Sequence, residues 1–105
     1  MYSITVTIGR NVGDNPMNAT TWHSFISDVQ GTLTVTVRGD NAQYEVHEGK
    51  GQWLGQEEDS AKIGILLDDM PQAEALDDLR RQLSELARFY SQDAIALTIG
   101  ESELC

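Results

Sequence analysis

The side chains that could carry chemistry in this chain are carboxylates, hydroxyls and two histidines. Nucleophilic catalysis needs a nucleophile, a base and a group that orients the base, all within hydrogen-bond reach. His23 follows Trp22 at the edge of an amphipathic segment, and His47 lies on an alternating segment beside Glu45. Ser24 and Ser60 are the nominal nucleophiles, but no strained-turn motif surrounds either. An enzyme built here would use His47 with Glu58 or Ser60. The runs Glu57-Glu58-Asp59 and Asp68-Asp69 put neighbouring carboxylates on opposite faces of an extended chain, which is poor geometry for a metal. Asp14-Asn15 and Asp40-Asn41 are far apart in sequence. No Gly-x-Gly-x-x-Gly or Gly-Lys-Ser pattern cradles a phosphate. The expectation is no cofactor and no metal.

The densest constellation is residues 49–60. It combines three glycines (Gly49, Gly51, Gly55), Trp53 and the acidic triplet. Glycine permits positive φ and close backbone approach, so the segment reads as a loop of specified shape. Trp53 has two roles open to it: a lid closing one end of the core, or a stacking residue on an exposed loop. The lid is the reading adopted. Arg10, His47, Trp53, Glu58 and Ser60 together form the candidate ligand- or partner-binding cluster at one rim of a sheet.

These residues must be held by regular elements. Residues 3–8 alternate, with Ile4, Val6 and Ile8 on one side and Ser3, Thr5 and Thr7 on the other, as in a half-buried strand. Residues 9–16 read as a loop. Asn18 is a suitable N-cap for a helix over 19–30, whose face carries Trp22, Phe25, Ile26 and Val29. Gly31 is placed to end it. Residues 32–38 alternate again, with Leu33, Val35 and Val37 inward. A turn at 39–42 then leads into a strand at 43–48, so this pair reads as a hairpin. Residues 61–67 form a strand, residues 71–91 a helix and residues 94–99 the last strand. The second helix shows a stripe of Leu76, Leu79, Leu83, Leu86 and Tyr90, widened by Phe89.

The order of elements predicts an α+β fold: a ferredoxin-like plait, βαββαβ with an extra hairpin strand. Its antiparallel sheet carries both helices on one face. The other face would present Thr5, Thr7, Thr34, Thr36, Glu45, His47, Lys62, Leu66, Ala96 and Thr98. This weakly charged surface suits a second copy of the chain or a ligand.

Length and charge narrow the partners. One domain spanning 1–105 with one modest core is expected from 105 residues with 40% hydrophobic composition. Seven basic residues stand against seventeen acidic ones, a net charge of −10. Phosphate backbones are gripped by clustered Lys and Arg, so direct nucleic-acid binding is disfavoured, as is an anionic membrane. The single cysteine, Cys105, has no partner for a disulfide within the chain. The start, Met1-Tyr2-Ser3-Ile4-Thr5, has no basic region before an apolar run, so a cytoplasmic chain is expected.

Five short motifs carry a resemblance. They are Ile8-Gly9-Arg10, Trp22-x-x-Phe25, Gly51-Gln52-Trp53, Glu58-Asp59-Ser60 and Phe89-Tyr90-x-Gln92-Asp93-Ala94. In these the chain resembles a family of small proteins known as a domain of unknown function, and small proteins of actinobacterial bacteriophages. The resemblance implies a ferredoxin-like plait with Arg10, Trp53, Glu58 and Ser60 clustered, and it implies no established activity; a phage-encoded chain would act in the host cytoplasm. The chain is expected to depart from the first family in lacking its usual secretory or lipoprotein leader and in having an extra turn at 39–42 before the tryptophan segment.

The functional expectation is a small acidic, non-enzymatic, homo-oligomeric binding protein. It would engage a host protein or small ligand through the open sheet face and the Trp53 segment. The alternatives are an acidic mimic of DNA that occupies a nucleic-acid-binding groove on a host enzyme, and the small enzyme using His47.

Overall fold

The computed structural model describes residues 1–37, 43–53, 56–101 and 103, with backbone alone at 43, 44, 52, 53 and 56. The elements are β1 (Tyr2–Gly9), β2 (Asn11–Val12), β3 (Asn15–Pro16), α1 (Ala19–Val37), β4 (Gln43–Trp53), β5 (Gln56–Leu67), α2 (Ala73–Phe89) and β6 (Ala96–Glu101). Strands β4-β5-β1-β6 form an antiparallel sheet in that order, and β2 and β3 form a separate small ribbon. Both helices pack on one face, so the expected ferredoxin-like α+β architecture is the one found. The turn expected at 39–42, the Trp53 side chain and Cys105 lie outside the described residues.

The core follows the two periodicities. Ile4, Val6 and Ile8 of β1 meet Ala61, Ile63, Ile65 and Leu67 of β5, and all are buried. Against them lie Trp22, Phe25, Val29, Leu33 and Val37 of α1 and Leu79 and Leu83 of α2. Asn18 caps α1 as expected, its Oδ1 accepting from Thr21 N–H at 2.8 Å.

Residues 32–37 are helical, which corrects the strand expected over 32–38, its hairpin with 43–48 and the stop at Gly31. Leu33 and Val37 are four apart, a spacing shared by one face of a strand and one turn of a helix. Val35 separates the two cases: a strand would bury it with its neighbours, but it is 69% exposed. The threonines that favour a strand are accommodated locally. Thr34 Oγ1 donates to Gln30 O at 2.9 Å, and Thr36 Oγ1 to Thr32 O at 2.8 Å. Thr34 and Thr36 therefore leave the open sheet face for the helix surface. A methyl group at Gly31 would meet nothing within 4 Å. Gly31→Ala is expected to stabilise the fold by about 0.5–1 kcal/mol, read as a higher thermal midpoint. A lower midpoint would restore a helix stop at this position.

Two further corrections concern the glycine segment and α2. Residues 49–53 and 56–60 are strand rather than loop: they extend β4 and β5 as a long ribbon, with Gly49 opposite Ser60 and Gly51 opposite Glu58. Phe89 does not widen the buried stripe of α2, being 77% exposed. Tyr90 turns inward instead, stacks on Phe25 at 4.3 Å and donates its hydroxyl to Asp28 Oδ2 at 2.5 Å, tying the helices together.

Burial, reinforced by the bond to Asp28, pushes the Tyr90 hydroxyl from its ordinary 10.0 up to about 12. The folded state thus favours the protonated phenol. Its contribution is complete below pH 10 and is lost as pH rises towards about 12. Stability measured against Tyr90→Phe across that range should show the wild-type advantage shrinking with pH. A pH-independent difference would contradict this.

Candidate functional site

The end of the sheet where β1 finishes and β5 begins is built by four pieces of chain. The first is Gly9 itself. It lies on the open face of β1, opposite Ser60. A Cβ at Gly9 would sit 2.5 Å from Glu58 Oε1 and 2.8 Å from Oε2. The absence of a side chain there is what lets the Glu58 carboxylate lie over the β1 backbone.

The second piece is the ribbon β2–β3. Gly13, with φ 61°, occupies the turn between Val12 and Asn15, where a two-residue hairpin commonly needs glycine. This ribbon brings Asn11 N–H to Glu58 Oε2 at 3.0 Å. It is closed at its base by Met17 N–H donating to Arg10 O at 2.9 Å and by Arg10 Nε donating to Met17 O at 2.7 Å.

The third piece is the end of α2. Gln92 N–H donates to Ala87 O at 2.7 Å and Ser91 N–H to Arg88 O at 3.2 Å, the bonding pattern of a Schellman cap. Ser91 takes the left-handed position with φ 56°, where glycine is usual. The cap delivers the Gln92 side chain to the rim, where Nε2 donates to Asn11 O at 3.0 Å. The fourth piece is the acidic triplet on β5. Alternation sends Glu57 and Asp59 one way and Glu58 the other. Asp59 is paired with Arg10 at 3.2 Å and with Lys50 at 3.6 Å, and Glu57 with Lys50 at 3.8 Å.

These pieces enclose a cleft of about 630 Å³ on the open side of the rim, bordered by Thr7, Asn11, Glu58, Ser60, Lys62 and Gln92 among others. Glu58 is half-buried and, among the described residues, pairs with no cation; its hydrogen bond comes from a backbone amide. The geometry offers a pinned carboxylate facing a cavity, with hydroxyls and amides around it. Such a site can hold a cationic or hydrogen-bonding small molecule.

The structure brings three of the five candidate residues to this rim. Glu58 and Ser60 line the cleft, while Arg10 braces it from behind through Asp59 rather than pairing with Glu58. His47 stands apart: it is exposed, its Nε2 is 3.2 Å from Glu45 Oε2, and it does not line the cleft. The backbone of Trp53 pairs with Gln56 at the far end of the ribbon. Asn11, Gln92 and Lys62 are not in the cluster expected from sequence, although Lys62 falls on the open face expected to meet a ligand. The alternation Glu58, Ser60, Lys62 along one strand was the available signal for Lys62.

The fold and rim define a ferredoxin-like plait with a small-molecule-sized cleft. No protein-family model matches the chain, and no curated protein matches it. Solved structures do. A phage SAM lyase in complex with S-methyl-5′-thioadenosine is 22% identical, over 95% of this chain and 80% of that one, with a TM-score of 0.62. A phage SAM lyase in the apo state is 22% identical over 94% of this chain and 78% of that one, with a TM-score of 0.63. A point mutant of CutA1 from Pyrococcus horikoshii OT3 is 17% identical over 100% of this chain and 86% of that one, with a TM-score of 0.51. What the chain shares with these proteins is the fold.

Proposed function

We propose that this chain binds S-adenosylmethionine, or a closely related sulfonium nucleoside, in the rim cleft and cleaves it. The observation that carries the reading is the Glu58 carboxylate, held over Gly9 by the Asn11 amide, facing the cleft without a cationic partner among the described residues. An uncompensated, half-buried carboxylate favours a cationic ligand. The cleft volume of about 630 Å³ lies in the range of pockets that enclose small ligands. The likeness to a phage SAM lyase with S-methyl-5′-thioadenosine bound supports this ligand class and a phage-encoded chain acting in the host cytoplasm.

The chemistry follows from the ligand. The bond between the sulfonium sulfur and the aminobutyryl carbon breaks, and its electron pair stays on sulfur, leaving a neutral thioether. In a lyase the carbon fragment completes its own valence, by attack of its carboxylate or by loss of a proton to a base, and no water enters. Glu58 is the group assigned to hold the cationic chain in either route. This reading retains the small ligand expected from sequence but replaces the expected non-enzymatic role with cleavage.

The open face of the sheet has its own part in the proposal. Ser3, Thr5, Leu66 and Thr98 form an uncharged stretch on a chain of net charge −10, next to the cleft residues Thr7 and Lys62. This surface is assigned to contact with a second copy. The direct test of the ligand assignment is an amide NMR titration with S-methyl-5′-thioadenosine. Shifts concentrated at Gly9, Asn11, Glu58 and Gln92 are expected. Shifts confined to residues away from the rim would overturn the assignment.

A further inference from the structure

Strand β5 sends Glu58, Ser60 and Lys62 to the same side, because alternate residues of a strand share a face. Successive members of such a row are about 6.7 Å apart. The Glu58 carboxylate leans over Gly9, which pairs with Ser60, and so stands one step from the row formed by Thr7, Lys62 and His47. Glu58 and Lys62 both border the cleft, giving it an anionic and a cationic part.

The other cations of this rim are engaged. Arg10 is bound to Asp59 and to the Met17 carbonyl, and Lys50 to Glu57 and Asp59. His47, the cross-strand neighbour of Lys62, is turned to Glu45. Lys62 is exposed and makes no ion pair among the described residues. Its ammonium is therefore available to an anionic group of a ligand whose cationic part rests on Glu58.

We infer that Lys62 binds the α-carboxylate of the ligand, an assignment that rests on the sulfonium-nucleoside reading of the cleft. It makes Lys62 a specificity residue. A ligand carrying the amino-acid head engages both Glu58 and Lys62, whereas S-methyl-5′-thioadenosine has no carboxylate and gains nothing from Lys62. The site would thereby favour intact substrate over its own thioether product. A point charge of this kind acts through attraction and three rotatable donors, so arginine should replace it in part and methionine not at all.

The test compares two unreactive thioethers, S-adenosylhomocysteine and S-methyl-5′-thioadenosine, which differ in the amino-acid head. Their dissociation constants are measured by calorimetry on wild type, Lys62→Met and Lys62→Arg, with circular dichroism confirming the fold of each. Lys62→Met is expected to weaken S-adenosylhomocysteine by about 10- to 100-fold and to leave S-methyl-5′-thioadenosine unchanged, with Lys62→Arg between wild type and Met. Equal loss of both ligands, or loss of neither, overturns the role of Lys62. Failure of wild type to bind either ligand overturns the parent reading, a separate outcome.

Discussion

Glu58→Gln should fold as the wild type does and lose about 100-fold in turnover of S-adenosylmethionine, the effect of deleting one charged hydrogen-bonding partner at a reacting centre. The substitution keeps the size of the side chain and an acceptor for Asn11 N–H, which now lies 3.0 Å from Oε2. What it removes is the charge facing the cleft. Gly9→Ala should act on the same group by another route. Its methyl group would occupy the place of the Glu58 carboxylate, with contacts as short as 2.5 Å. The obstacle is the far end of a flexible side chain, so the carboxylate swings away and stability changes by less than about 1 kcal/mol. Thermal melts beside initial rates check both variants. A Glu58→Gln protein with wild-type rate would remove Glu58 from the chemistry.

Phe25→Ala should cost about 3–5 kcal/mol, the usual loss for truncating a fully buried phenylalanine. Phe25 has no exposed surface, stacks on Tyr90 at 4.3 Å and meets the edge of Trp22 at 6.2 Å. It thus joins α1 to the end of α2, and the cap that follows Tyr90 positions Gln92 at the cleft. A cavity at Phe25 would loosen both the core and the rim. Domains of this size are stable by only about 5–15 kcal/mol, so the variant should lose a large share of its stability. Urea denaturation gives the number, and a loss below about 1 kcal/mol would contradict this packing.

Much of the architecture was legible because burial imposes clear periods. Ile4, Val6 and Ile8, and likewise Ile63, Ile65 and Leu67, alternate as one buried strand face must. Leu79 and Leu83 mark the buried face of α2 just as directly. The segment around Leu33 and Val37 misled because their spacing satisfies both periods, while Gly31 and the threonines favour ending a helix. The glycines at 49 and 51 look like turn residues, yet they alternate on one face of β4 opposite Ser60 and Glu58. Gly51 borders the cleft, and both glycines lie within a continuous strand rather than at a bend.

The candidate site divides in the same way. Glu58, Ser60 and Arg10 could be found as polar residues near strand ends. That Glu58 alone of its triplet faces the cleft follows from alternation, but its seat over Gly9 needed the β1–β5 register. Asn11 and Gln92 arrive through a two-residue hairpin and a non-glycine left-handed cap at Ser91, neither of which has a periodic signature.

The proposed activity is tested most directly by incubating the purified protein with S-adenosylmethionine in water enriched in oxygen-18 and analysing the products by mass spectrometry. Protein-dependent release of S-methyl-5′-thioadenosine is expected, with no heavy oxygen in the carbon fragment as first formed and much slower release by Glu58→Gln. Unchanged S-adenosylmethionine after prolonged incubation would contradict the assignment.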